Sequence, residues 1–179
     1  FLMARDVVYE CVSALCKEGL ACVEKPALGI MVELPAAVEV VDDLAREADF
    51  ISIGSNDLVQ YVLAVDRTNE RVADLYQPHH PAVLRVLHRV AQAAVQAGRP
   101  LSICGEMAAN PKIIPFLLGI GVHTLSLDPR HIPVVRKTVS GLRLADAQAL
   151  AVKAIALRRV REVEELFGLA HGNGRQESA

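Results

Sequence analysis

Two rhythms of apolar residues alternate along the chain. Helical spacing comes first, over Ala4 to Lys17, where Val7, Val8, Cys11, Val12 and Leu15 share one face and Gly19 follows. Gly29-Ile-Met-Val-Glu33 is apolar up to its last residue, the pattern of a strand buried on both faces. Ala36 to Ala48 is helical, Phe50 to Gly54 a strand, and Leu58 to Ala64 a short helix leading into a polar loop from Asp66 to Pro81. A clear helix over Ala82 to Ala97 stops at Gly98, and Pro100 to Cys104 forms the third strand. Pro111 to Leu118 is helical, Thr124 to Leu127 is the fourth strand, and Pro133 to Val139 begins another helix. Asp146 to Phe167 is helical in two pieces, and a polar tail runs from Ala170.

The predicted order is a helix, four βα units and extra helix. Alternation of this kind specifies a parallel sheet with crossover helices. A closed (β/α)₈ barrel needs eight such units and about 250 residues. The chain is therefore either an open doubly wound sheet or the C-terminal half of a barrel.

Composition narrows the class. The 179 residues are 52% hydrophobic and 22% charged, which fits a globular domain. A net charge of −2 with interspersed signs, and 4% aromatic residues, offers nucleic acid neither a basic stripe nor stacking platforms. No apolar run approaches the roughly 18 residues of a membrane span. Cys11, Cys16, Cys22 and Cys104 have neither CxxC nor secreted-scaffold spacing, so reduced thiols in a cytoplasmic protein are expected. The chain opens inside a helical pattern at Phe1-Leu2-Met3, which fits a segment of a longer polypeptide as well as initiation at Met3.

Polar residues gather where the predicted strands end: Glu33, then Asn56 and Asp57, then Cys104 and Glu106. In parallel α/β folds active sites form at this edge. Glu33 and Asp57, from adjacent strands, suit one hard divalent cation, since Mg²⁺ takes one or two carboxylates and leaves the rest to water and phosphate. The ordinary alternative is that either acid caps the following helix, and Ser55-Asn56-Asp57 reads equally as an N-cap. Arg67, in the loop after the second strand, is either a bidentate phosphate ligand or a solvated surface residue. Cys104 is either a buried structural thiol or, beside Gly105, a proton donor at a carbon centre. The six histidines show no metal-ligand spacing.

The segments Gly29-Ile-Met-Val-Glu-Leu-Pro-Ala-Ala37 and Phe50-Ile-Ser-Ile-Gly-Ser-Asn-Asp-Leu-Val-Gln-Tyr61 resemble the signature of the phosphoenolpyruvate-utilising enzymes. Leu63-Ala-Val-Asp-Arg67, Leu75-Tyr76-Gln-Pro78, His80-Pro-Ala-Val-Leu84 and Ser102-Ile-Cys-Gly-Glu-Met107 narrow the resemblance to phosphoenolpyruvate–protein phosphotransferases, the enzyme I type of the phosphotransferase system. It runs from about Gly29 to Arg136, and the departures, Leu34 and Val59 where threonine is frequent, miss the functional positions.

The resemblance implies the last four units of a phosphoenolpyruvate-binding (β/α)₈ barrel over residues 1–168, with a flexible polar tail over 169–179. It implies Glu33 and Asp57 as Mg²⁺ ligands, Asn56, Asp57 and Arg67 as substrate-phosphate contacts, and Cys104 as the acid that protonates the enolate carbon to give pyruvate. It further implies phosphoryl transfer to a protein histidine, a histidine-containing phosphocarrier protein as acceptor through an upstream domain, a homodimer, a cytoplasmic location and a part in sugar transport. The remaining arginines and the phosphate-accepting histidine lie upstream in the family, so inactivity of the chain alone is expected. Its half-barrel would leave two strand edges and an apolar face exposed. The alternatives are a piece of a pyruvate phosphate dikinase or phosphoenolpyruvate synthase, and a non-catalytic sensing or dimerisation module.

Overall fold

A computed structural model describes residues 1–169. All four predicted strands form: β1 (Gly29–Val32), β2 (Phe50–Gly54), β3 (Leu101–Cys104) and β4 (Thr124–Ser126). They pair in parallel in the order β1-β2-β3-β4. A doubly wound sheet reverses its strand order at a switch point, and this one does not. The sequential order and the right-handed crossover rule give a partial barrel, open between β1 and β4.

Burial alternates along the strands. Val32, Ile51, Ile53, Leu101 and Ile103 are buried, whereas Met31, Phe50, Thr124 and Ser126 are exposed and Ser52, Ser102 and Cys104 half-exposed. Successive residues of a strand face opposite sides, so the helices cover one face only. The expectation that the first strand is buried on both faces is thus corrected, since Met31 of β1 is exposed. The open face is mixed rather than uniformly apolar: Met31 and Phe50 are exposed on its β1–β2 side, while register aligns Met31 with Ser52, Ser52 with Ser102 and Ser102 with Thr124, a row that is polar beyond β1.

The crossover helices follow the sequence closely. Between β1 and β2, α2 (Pro35–Glu39) and α3 (Val41–Glu47) replace the single predicted helix, the chain leaving helical geometry at Val40. After β2 come α4 (Ser55–Leu63) and α5 (Pro81–Gln96). Val83, Leu84, Leu87, Val90, Ala91 and Ala94 of α5 are all buried, the i, i+3, i+4, i+7 stripe that drives an amphipathic helix onto a core. His80 caps α5 by accepting the Ala82 N–H at 3.1 Å, with Pro81 at its first position. Beyond β3 lie α6 (Glu106–Ala109) and α7 (Ile114–Gly119), so the predicted helix from Pro111 starts three residues late, after an extra turn.

After β4 follow α8 (Ile132–Ser140), α9 (Leu144–Ala156) and α10 (Val160–Phe167). The Phe167 ring lies 5.9 Å from that of the fully buried Phe116, which anchors α10 to the core. Arg85 of α5 donates to the carbonyls of Ile155 and Leu157 at 3.2 and 2.8 Å, satisfying the exposed end of α9.

The first helix, α1 (Leu2–Lys17), buries no residue, and Arg5 joins it to Glu47 at 2.8 Å. Its C-terminus turns at Glu18-Gly19, and Cys16 and Cys22 are joined in a disulfide, their Cα atoms 6.1 Å apart. The expectation of four reduced thiols is corrected for this pair, because the turn folds the following segment back on the helix. Cys11 and Cys104 are free. Apart from Leu169, the predicted tail falls outside the described residues. No described helix is long and apolar enough to cross a membrane.

Candidate active site

The parallel sheet brings the C-terminal ends of its strands to one edge, and the predicted residues stand there. Glu33 follows β1 directly. Its side chain leans over β2, since a Cβ at Gly54 would lie 2.8 Å from Glu33 Oε2. Asn56 and Asp57 occupy the first turn of α4 immediately after β2. Cys104 ends β3, and its Sγ donates to the Ile53 carbonyl at 3.6 Å. Arg67, in the loop after α4, places its guanidinium 3.7 Å from the Glu106 carboxylate.

Bonds between adjacent strand ends tie these residues into one unit. The side-chain carbonyl of Asn56 accepts the Glu106 N–H at 3.0 Å, which leaves its amide group as the free donor end. The Ser55 hydroxyl, fully buried, donates to the Cys104 carbonyl at 2.6 Å. The N-cap position of α4 falls on Gly54 and no side chain caps the helix, so the N-cap reading of Ser55-Asn56 is corrected: Ser55 reaches the end of β3 and Asn56 the start of α6. The Tyr76 hydroxyl donates to the main-chain carbonyl of Asn56 at 3.3 Å. Burial, aided by the Glu106 and Asp57 charges and opposed by Arg67, raises the Tyr76 phenol above its ordinary pKa, so it remains a donor.

An open cleft of about 370 Å³ lies over this edge, lined by Asn56, Gly105, Glu106, Ser126, Asp128 and His131. Asp128 is held below the usual carboxylate range by hydrogen bonds from the Arg130 side chain and amide.

Sequence reasoning placed Glu33, Asn56, Asp57, Arg67 and Cys104 at this edge, and read Gly105 as a point of close backbone approach, which the 2.4 Å between its hypothetical Cβ and Ser55 Oγ bears out; it missed the roles of Ser55 and Tyr76. Ser55 and Tyr76 stand inside the quoted motifs, but nothing in a one-dimensional pattern shows which backbone group a hydroxyl will reach. His79, passed over in sequence, lies 3.3 Å from Glu164 of α10, outside the site.

Among the described residues no three His, Cys, Asp or Glu side chains converge as a preformed metal cage. The pair that remains, Glu33 leaning over β2 and Asp57 at its end, presents only hard oxygen donors. That set fits Mg²⁺ completed by water and phosphate, and does not fit a zinc centre.

The profile of the PEP-binding domain of PEP-utilising enzymes matches residues 1–144. The chain is 40% identical over 163 residues to a phosphoenolpyruvate-protein phosphotransferase of Geobacillus stearothermophilus, covering 91% of this chain and 28% of that protein. Against the Bacillus subtilis protein of the same name it is 39% identical over 163 residues, covering 91% and 29%. Against that of Staphylococcus aureus it is 40% identical over 166 residues, covering 93% and 29%. The chain thus spans under a third of the length of these relatives. A matched domain over most of the sequence, and the polar strand edge that the fold builds from it, lead to one assignment: the chain belongs to the family of PEP-utilising enzymes.

Proposed function

We propose that this chain supplies part of the Mg²⁺–phosphoenolpyruvate site of an enzyme that transfers the phosphoryl group of phosphoenolpyruvate to a protein histidine. The observation that carries the reading is the joining of Asn56, Glu106 and Cys104 across two strand ends, with Arg67 beside them. Glu33 and Asp57 would hold the Mg²⁺ ion, which supplies charge neutralisation on the transferring phosphoryl group. The free amide donors of Asn56 and the Arg67 guanidinium bind phosphate oxygens. As the P–O bond breaks and a P–N bond forms on the acceptor histidine, the leaving enolate takes the Cys104 proton at carbon and departs as pyruvate. The thiolate left behind is reprotonated from solvent.

The names of the relatives favour this reading over a pyruvate phosphate dikinase. The parent protein is proposed to be a cytoplasmic homodimer of the phosphotransferase system that serves sugar transport, with a histidine-containing phosphocarrier protein as acceptor. The open sheet edges support the view that this chain does not turn over alone.

Calorimetric titration with phosphoenolpyruvate tests the site. Binding is expected with Mg²⁺ present, and Glu33→Gln or Asp57→Asn is expected to remove the metal dependence. Absence of binding to the unmodified chain at millimolar ligand would overturn the assignment. Pyruvate formation by the chain with the phosphocarrier protein would overturn the claim that it is inactive alone.

A further inference from the structure

Ser55 spends its hydroxyl in an unusual place. It opens α4 directly after the Gly54 N-cap, yet it is fully buried and donates to the carbonyl of Cys104 on the neighbouring strand at 2.6 Å. On the other side of the same turn, the Glu106 N–H donates to Asn56 Oδ1 at 3.0 Å. Gly105 lies between them at φ +95°, and a Cβ there would stand 2.4 Å from Ser55 Oγ and 2.6 Å from Asn56 Oδ1. The turn Cys104-Gly105-Glu106 is therefore held at both ends by consecutive residues of the β2–α4 junction, with glycine permitting the close approach. Inside this frame Cys104 Sγ reaches the Ile53 carbonyl at 3.6 Å.

We propose that Ser55 is a positioning residue that fixes the Cys104 thiol relative to Asn56 and Asp57, so that the phosphate-binding end and the proton-donating end of the site move as one rigid unit. The catalytic meaning of this clamp rests on the reading of Cys104 given above; the clamp itself is a property of the thiol and can be read without turnover. A proton donor acts only within hydrogen-bond reach of the atom it serves, and a side chain at a strand end is free to swing unless its backbone is pinned. Without the Ser55 hydroxyl the Cys104 carbonyl loses its tether, the turn loosens, and the thiol leaves the Ile53 carbonyl for solvent.

Alkylation of the intact chain by iodoacetamide at one pH, followed by peptide mass spectrometry, tests the clamp. Cys11, free and exposed, provides an internal reference in every sample. In Ser55→Ala the rate at Cys104 relative to Cys11 is expected to rise about fivefold, the change in an open–closed ratio when one ordinary hydrogen bond is lost. Ser55→Thr keeps the hydroxyl and is expected to stay within about twofold of the unmodified chain. An unchanged or slower rate in the alanine form, or an equal acceleration in the threonine form, overturns the proposal.

Should the alanine form fail to fold, hydrogen exchange at the Glu106 amide of the unmodified chain decides. That amide begins α6 and has no partner within the helix, so protection can come only through Asn56. Slowing of at least about tenfold is expected, and exchange at the rate of an unstructured chain overturns the clamp. Adding Mg²⁺ and phosphoenolpyruvate to the alkylation reaction tests the other claim separately. No protection of Cys104 would count against the substrate reading and leave the clamp standing.

Discussion

Replacing Gly105 with alanine gives the sharpest test of how the site is built. The residue sits at φ +95°, ψ −174°, a region open essentially to glycine alone. Forcing an L side chain there costs about 1–3 kcal/mol. The added Cβ would also meet Ser55 Oγ at 2.4 Å and Asn56 Oδ1 at 2.6 Å, both held by hydrogen bonds of their own. Overpacking of that kind costs a further ~1–3 kcal/mol, so the total is about 2–6 kcal/mol. Gly98 supplies a control, because its φ is +63° and nothing lies within 4 Å of its hypothetical Cβ. Gly98→Ala therefore carries only a backbone penalty, and Gly105→Ala is expected to exceed it by the overpacking share of about 1–3 kcal/mol. Urea unfolding followed by circular dichroism reads the difference. At a slope of about 2 kcal/mol per molar urea, a 2 kcal/mol loss lowers the midpoint by about 1 M. If Gly105→Ala unfolds within about 0.5 kcal/mol of Gly98→Ala, the close approach of Gly105 to Ser55 and Asn56 does not exist in solution, and the account of a joined site fails with it.

Two other perturbations probe the rest of the molecule. Burial lowers the pKa of His79, His80 and His88, with Glu164 opposing the shift at His79. Each therefore binds fewer protons in the folded than in the unfolded state. The stability this gives is full above the unfolded imidazole value of about 6.5 and is lost as pH falls through it toward the folded values. The lowered carboxylates Asp66, Asp128 and Glu162 contribute in the same direction, but their share is lost only at more acid pH. The urea midpoint is expected to drop between about pH 7.5 and about pH 5.5, and a flat profile would refute the burial of these rings. Phe116→Ala empties a fully buried site against Phe167 and is expected to cost about 3–5 kcal/mol in the same assay. A loss under about 1 kcal/mol would mean that α10 does not dock on the core as described.

The sequence by itself determined the element order, the parallel arrangement and the edge where polar chemistry gathers. Each follows from local signals: apolar runs of strand length, the stripe along α5, Gly98 and Pro81 as punctuation, and Glu33, Asn56, Asp57 and Cys104 directly after strands. It also carried the family, through motifs whose order survives in one dimension. Only the tertiary structure decided which strand faces are covered, because a four-residue apolar run looks the same whether one side or both are buried, and Met31 proved exposed. It also decided that Ser55 and Asn56 serve the neighbouring β3–α6 turn rather than their own helix. The choice between those partners depends on what the parallel register brings within 3 Å of a hydroxyl or an amide, and Cys104 lies 49 residues away in sequence. The open edges at β1 and β4 belong to the same class of fact, since strand pairing is a property of neighbours in space and four βα units are equally compatible with an open sheet or half a barrel.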